Sequence, residues 1–150
     1  MVTTDLAEDT LDIHPKNKRD VGIRLAKLAL AGAYGKEIQD AISPFYDHME
    51  VVKNKAVISF DNPGSLTIKN SKVTGLYIAG GDQHFYPAQA VIKNNQLVAW
   101  SKNVPNPVAV RYAFSNTAVG NIFTKGGMPV APFRTDDWSV DTSIDNSKLK

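Results

Sequence analysis

The spacing of apolar residues changes character once along this chain, near Ala41, and that change limits the folds open to it. Upstream, Val21, Leu25 and Leu28 recur at helical spacing. Downstream, short apolar runs alternate with polar residues, the period of strands that bury one face. One helix followed by a train of short strands reads as a mainly β chain.

The helical stretch has defined ends. Asn17 is a good N-cap with Asp20 at N3, and Pro15 stiffens the approach just ahead of the first turn. The helix is expected over residues 17–34, about 27 Å at roughly 1.5 Å per residue. Gly35 is the expected C′ residue, and Lys27 and Lys36 lie toward the end that the helix dipole makes favourable for cations. Gly22 inside the helix costs roughly 1 kcal/mol against Ala, which suggests close packing there. Before it, residues 2–6 read as a short strand and 7–11 as a polar loop. Strand, loop and helix together are the last step of an α/β domain.

The strand region divides at its turns. Residues 45–52 and 55–60 flank Lys53-Asn54 as a hairpin, with Ala56, Ile58 and Phe60 on one face. Asp61-Asn62-Pro63-Gly64 is a turn in which Pro fixes φ and Gly accepts a positive one. Residues 66–69 and 74–79 follow, broken by Gly80-Gly81-Asp82. Residues 88–93 and 96–101 straddle Asn94-Asn95, a two-residue hairpin loop. Residues 107–114 would turn Val108, Val110, Tyr112 and Phe114 inward. Seven short strands over about 100 residues fit an antiparallel β-sandwich, Ig-like or jelly-roll-like. Residues 139–150 are polar and read as a disordered tail.

Composition narrows function mostly by exclusion. The net charge is +2 and the lysines are scattered, so nucleic-acid binding is not suggested. There are no cysteines, which removes disulfides and thiolate metal sites. No apolar run approaches membrane-spanning length. Residues 1–15 carry Asp5, Glu8, Asp9 and Asp12 with no basic n-region, unlike a signal peptide.

One motif carries chemistry. In Asp12-Ile13-His14-Pro15-Lys16-Asn17-Lys18 a histidine is pinned in a loop just ahead of a helix, where catalytic side chains are often held. The run DIHPKNKRDVGIRLAKLAL, with PVAVRYAF and GMPVAPFRTDDW further on, resembles the C-terminal portion of sialate O-acetylesterases. These are SGNH-type hydrolases that remove acetyl esters from sialic acids. The resemblance runs over residues 3–138 and is most specific in DIHP and PFRTDDW. It implies that His14 is the catalytic histidine and Asp12 its nearest acidic partner. The superfamily pattern places that acid three residues before the histidine, where this chain has Leu11, whereas Asp12 lies two before.

The same resemblance implies that residues 1–36 end an SGNH hydrolase domain and 41–138 form an accessory sandwich. The serine nucleophile and oxyanion hole would lie upstream, since none of Ser43, Ser59, Ser65, Ser71, Ser101 or Ser115 sits in a Gly-rich nucleophile motif. The expected partners are an acetylated sialic acid or related glycan and the missing N-terminal hydrolase domain, with no cofactor, nucleic acid or membrane. An extracytoplasmic location, periplasmic or secreted, follows by the same resemblance. The isolated chain would then be inactive. The alternative is a non-catalytic sandwich, either carbohydrate-binding or structural.

The other candidates weigh less. His48 and His84 lack carboxylates at metal-binding spacing. Phe85, Tyr86, Trp100 and Tyr112 could form a sugar-stacking platform, but aromatics at strand positions more often belong to a core. Arg134, Asp136 and Asp137 are expected to form an ion-pair clasp with Trp138 packed over it.

Overall fold

A computed structural model of the chain describes residues 1–6, 14, 16–115 and 117–140. It is mainly β, with one helix, α1 (Lys18–Gly32), and ten strands: β1 (Phe45–Val52), β2 (Lys55–Asp61), β3 (Leu66–Ile68), β4 (Leu76–Ala79), β5 (Phe85–Pro87), β6 (Gln89–Lys93), β7 (Gln96–Trp100), β8 (Ala109–Tyr112), β9 (Ile122–Thr124) and β10 (Phe133–Arg134). The pairing is antiparallel throughout. One sheet runs β1-β2-β7-β6, a second runs β10-β8-β4-β5, and β3 pairs with β9.

The hairpins form where the turn residues place them. Lys53 takes a positive φ between β1 and β2, and Asn94 and Asn95 both do between β6 and β7. Two consecutive left-handed residues match the natural strand twist. β5 and β6 are nearly one strand: only Ala88 separates them, yet they belong to different sheets. Its N–H donates to the Leu76 carbonyl at 2.9 Å, so the chain is still held to β4 as it leaves.

Both four-stranded sheets feed one core. Ala56 and Ile58 of β2, Leu97 and Ala99 of β7, Ile78 of β4, and Val110 and Tyr112 of β8 are fully buried together. Phe133 sits among aromatics from both sheets. Its ring centroid is 5.4 Å from Tyr46, 5.6 Å from Phe60 and 5.7 Å from Tyr112. The Tyr112 hydroxyl accepts a hydrogen bond from the Ile122 N–H at 2.9 Å, tying in the small β3–β9 sheet. Burial pushes that phenol up to about 12, so it stays protonated at any ordinary pH. Gly120 makes the approach possible, because a Cβ there would stand 2.6 Å from the Tyr112 oxygen.

Several sequence expectations need correction. Residues 2–6 form a turn closed by Leu6 N–H to the Thr3 carbonyl, with Val2 and Leu6 buried, and not a strand. Among the described residues, nothing lies within 4 Å of where a Gly22 side chain would be, so the expected close packing is not found there. Val110 and Tyr112 face inward as expected, but Val108 and Phe114 are exposed. Strand β8 ends at Tyr112, and Ala113 then takes a left-handed φ of 49°. That turn breaks the period of two and sends Phe114 outward. Strands β5, β9 and β10 have two or three residues each, too short to show alternation.

The C-terminal clasp exists with a different partner. Asp136 receives two bonds from Arg111, at 2.9 Å from Nε and 2.6 Å from Nη2, not from Arg134. Arg134 instead donates to the Trp138 carbonyl at 3.1 Å, and Asp137 is exposed. The reason is cross-strand register: Arg134 pairs opposite Arg111 on β8, and the chain then brings Asp136 to Arg111. The hydrogen bonds from Arg111 hold the Asp136 carboxyl below its ordinary range.

Four outcomes follow from this packing. Tyr112→Phe strands the buried Ile122 N–H and should cost about 1–3 kcal/mol in urea unfolding. Arg111→Ala should cost roughly 3 kcal/mol, since it leaves an enclosed carboxylate without its cation. Because the folded-state pKa of Asp136 is depressed, its contribution is present above the ordinary carboxylate value of 3.8 and is lost as pH falls through the folded value. Asp136→Asn should therefore flatten the acid limb of a stability–pH curve. Amide exchange gives the fourth outcome. Ile23, Leu25 and Leu30 leave the helix 40–52% exposed at those side chains, so α1 amides should exchange faster than that of Val110.

Candidate active site

The site is built from the start of α1 backward. Asn17 Oδ1 accepts from the Asp20 N–H at 3.1 Å, and Asn17 Nδ2 donates to the Asp20 carboxylate at 2.9 Å. This reciprocal cap fixes the first turn as the sequence implies. His14 lies on an exposed bend four residues before Lys18, so its imidazole is reachable from solvent. Asp12 lies outside the described residues, as do Glu8 and Asp9. At the far end, Gly35 takes φ 61° and lets the Lys36 N–H reach the Leu30 carbonyl at 2.9 Å.

The residue that anchors this region is one the sequence reading missed. Arg24 is the one buried residue of α1. Its guanidinium donates to both oxygens of Asp5, at 2.7 and 2.6 Å, and to the Val2 carbonyl at 2.9 Å. Both charged side chains are at most 10% exposed, so the pair is shielded and its geometry is that of a fork on a carboxylate. A signal was present: Arg24 stands on the same helical face as Val21, Leu25 and Leu28, a cation inside an apolar stripe. The fork holds the chain just before residue 7 against the helix that begins just after His14. It thereby ties the residues that precede the histidine segment to the helix that follows it.

Beside this fork is a polar hollow of about 290 Å³. Asp20, Arg24 and Lys27 of the helix line one side, and Lys69 with Gly126 to Met128 line the other. A larger hollow, about 580 Å³, lies at the opposite end of α1, where Asp40 approaches Gly126. Any Cβ at Gly126 would collide with that carboxylate, so the linker between α1 and β1 is seated on a bare glycine.

The remaining candidates scatter. His48 is exposed on β1 with its Nδ1 2.9 Å from Asp47 and its Nε2 4.0 Å from Glu50. His84 stacks edge-on to Tyr86 at 4.7 Å. Among the described residues, no group of three His, Asp or Glu side chains is arranged to hold a metal ion. The four aromatics do not share a face. Tyr112 is in the core, Tyr86 packs against it, Phe85 lies under Trp138, and Trp100 belongs to the other sheet with Lys55 Nζ 4.8 Å from its ring. Of the serines, Ser59 bonds Gln96, while Ser43 is buried next to β1.

No protein-family model and no curated protein matches the chain. Among solved structures, it matches a carbohydrate acetylesterase from Xanthomonas citri at 44% identity with a TM-score of 0.78. The match covers 85% of this chain and 30% of that one, so this chain spans under a third of the acetylesterase's length. The chain is thus similar, in sequence and in fold together, to one portion of a carbohydrate acetylesterase, and its relation to carbohydrate esterases rests on that portion.

Proposed function

We propose that these residues are the C-terminal portion of a serine-dependent carbohydrate esterase of the sialate O-acetylesterase type. In this reading residues 1–36 close an SGNH hydrolase domain and bring the catalytic histidine. Residues 41–138 form an accessory β-sandwich. The observation that carries the reading is the 44% identity to a carbohydrate acetylesterase over most of the chain. The two sheets packed on one core support the sandwich, and the anchored, exposed position of His14 supports its role.

The chemistry assigns one proton relay to this chain. His14 takes the proton of a serine hydroxyl as that oxygen attacks the acetyl carbonyl. It then delivers the proton to the departing sugar oxygen, which leaves an acetyl-enzyme for water to hydrolyse with the same histidine as base. Asp12 would orient the ring and stabilise the imidazolium. Arg24 and Asp5 act through position, by holding the segment that presents His14. The natural ester would be an acetylated sialic acid or related glycan, met in an extracytoplasmic compartment. No helix among the described residues is long and apolar enough to cross a membrane.

The sandwich is open to a structural reading as well. Tyr112 and Phe133 are spent on joining the sheets, as expected of a brace for the catalytic domain.

Kinetics test the reading directly. The 150-residue chain alone should not hydrolyse a chromogenic acetyl ester, because its serines lie in no nucleophile motif. Turnover lost on His14→Ala in that short chain would overturn the division of labour. In the longer enzyme, His14→Ala should lower kcat/KM on the order of 10³-fold or more, and Asp12→Ala much less. Arg24→Ala should reduce kcat with little change in the pH profile, because it moves the base without altering it. Near-normal rates in His14→Ala would sink the proposal.

A further inference from the structure

We infer that the outer face of the β10-β8-β4-β5 sheet carries a carbohydrate-binding subsite between Tyr77 and Phe114. A hollow of about 580 Å³ opens there, lined by the two rings together with Thr74, Ser115, Thr117 and Val119. Tyr77 is 45% exposed and Phe114 is 43% exposed. Rings beside hydroxyls in one open hollow suit a pyranose, whose C–H face covers an aromatic ring while its rim hydroxyls find hydrogen-bond partners. Among the described residues, no carboxylate lines the hollow to repel an acidic sugar.

The surroundings hold this site in shape before any ligand arrives. Phe114 is turned outward by the left-handed Ala113, whose N–H donates to the Gly75 carbonyl at 2.8 Å. The Arg111 guanidinium carbon lies 5.0 Å and that of Arg134 5.8 Å from the Phe114 ring centre. Arg111 is itself locked by two bonds to Asp136, and Arg134 by one to the Trp138 carbonyl. On the other wall, the Thr74 hydroxyl donates to the Val119 carbonyl at 3.2 Å, which leaves its oxygen able to accept from a sugar. The Thr74 N–H is held by Asn121 Oδ1 at 2.9 Å, and the Asn121 amide donates to the Lys69 and Lys72 carbonyls. Tyr77 pairs directly with Arg111 across β4 and β8, so one rigid strand pair presents both sides. Preorganisation of this kind lowers the cost of binding a weak, polar ligand.

The hollow beside the half-buried Trp100 is a poorer fit. It is smaller, about 330 Å³, and one aromatic side chain lines it where two line the hollow at Tyr77 and Phe114. Only the choice of ligand class rests on the carbohydrate reading above; the test measures binding, which needs no hydrolysis.

Nitrogen-labelled full chain titrated with xylohexaose, cellohexaose and sialyllactose, followed by amide shifts, decides the matter. The expected result is saturable shifts centred on Tyr77, Arg111 and Phe114 for at least one sugar. Tyr77→Ala, at an exposed position, should weaken that binding roughly tenfold while the thermal midpoint holds. Tyr77→Phe keeps the ring and should retain most of the affinity. No shifts with any of the three sugars overturns the subsite, as do shifts centred on Trp100, or binding unchanged in Tyr77→Ala. Concentration-dependent self-association abolished by Tyr77→Ala would also overturn it, by giving the face to a second copy of the chain. If sugar binds here while His14→Ala leaves the longer enzyme active, the catalytic reading fails and the subsite stands.

Discussion

The arrangement depends first on Tyr112. Its ring lies at the centre of the apolar core, against Phe133, while its hydroxyl reaches the Ile122 backbone on the small sheet. One side chain therefore joins the second sheet to the β3–β9 pair, and Phe133 extends the contact to Tyr46 and Phe60 of the first. A buried hydroxyl of this kind stabilises only when its partner is placed to a few tenths of an ångström. Gly120 supplies that tolerance by having no side chain where the oxygen must come. The large sheets need not be long or regular once this joint is made, which fits the two- and three-residue strands around it.

Electrostatics is concentrated in two forks of the same design. Arg24 with Asp5 fastens the first residues of the chain to α1, and Arg111 with Asp136 fastens the last strand to β8. In each, a planar cation meets a carboxylate with two parallel bonds, and both partners are largely withdrawn from solvent. Such pairs contribute less to net stability than to where a segment must lie. Here the first ties residues 2–5 to α1, and the second fixes Arg111 beside Phe114.

Much of this was legible in the residues. The switch from helical to strand period near Ala41, the Asn17 cap and the Asn94-Asn95 hairpin all depend on local chemistry, and each is found where the sequence places it. Non-local partners were not legible. Asp136 stands two residues from Arg134, and only strand register reveals that Arg111 takes it. The fate of Phe114 turned on a single left-handed alanine, a conformation that alanine does not advertise. Val2 and Leu6 look like strand residues because both are apolar and evenly spaced, yet a closed turn buries them equally well. Asp12, the proposed acid partner of the histidine, lies outside the described residues. For the candidate site, the Asn17 N-cap was readable from the sequence, whereas the Arg24 anchor had to come from the structure.

The passage from β5 to β6 has a mechanical consequence. Because a nearly continuous stretch serves one sheet up to Pro87 and the other from Gln89, the two sheets share a spine of covalent bonds. Neither can slide along its strand direction without dragging the other through Ala88, whose own N–H is fastened to Leu76. A slip of one residue in either sheet would also invert which side chains face the core in that strand. The layers are thus geared together, and a load applied to the outer face at Tyr77 reaches the opposite sheet through the backbone itself.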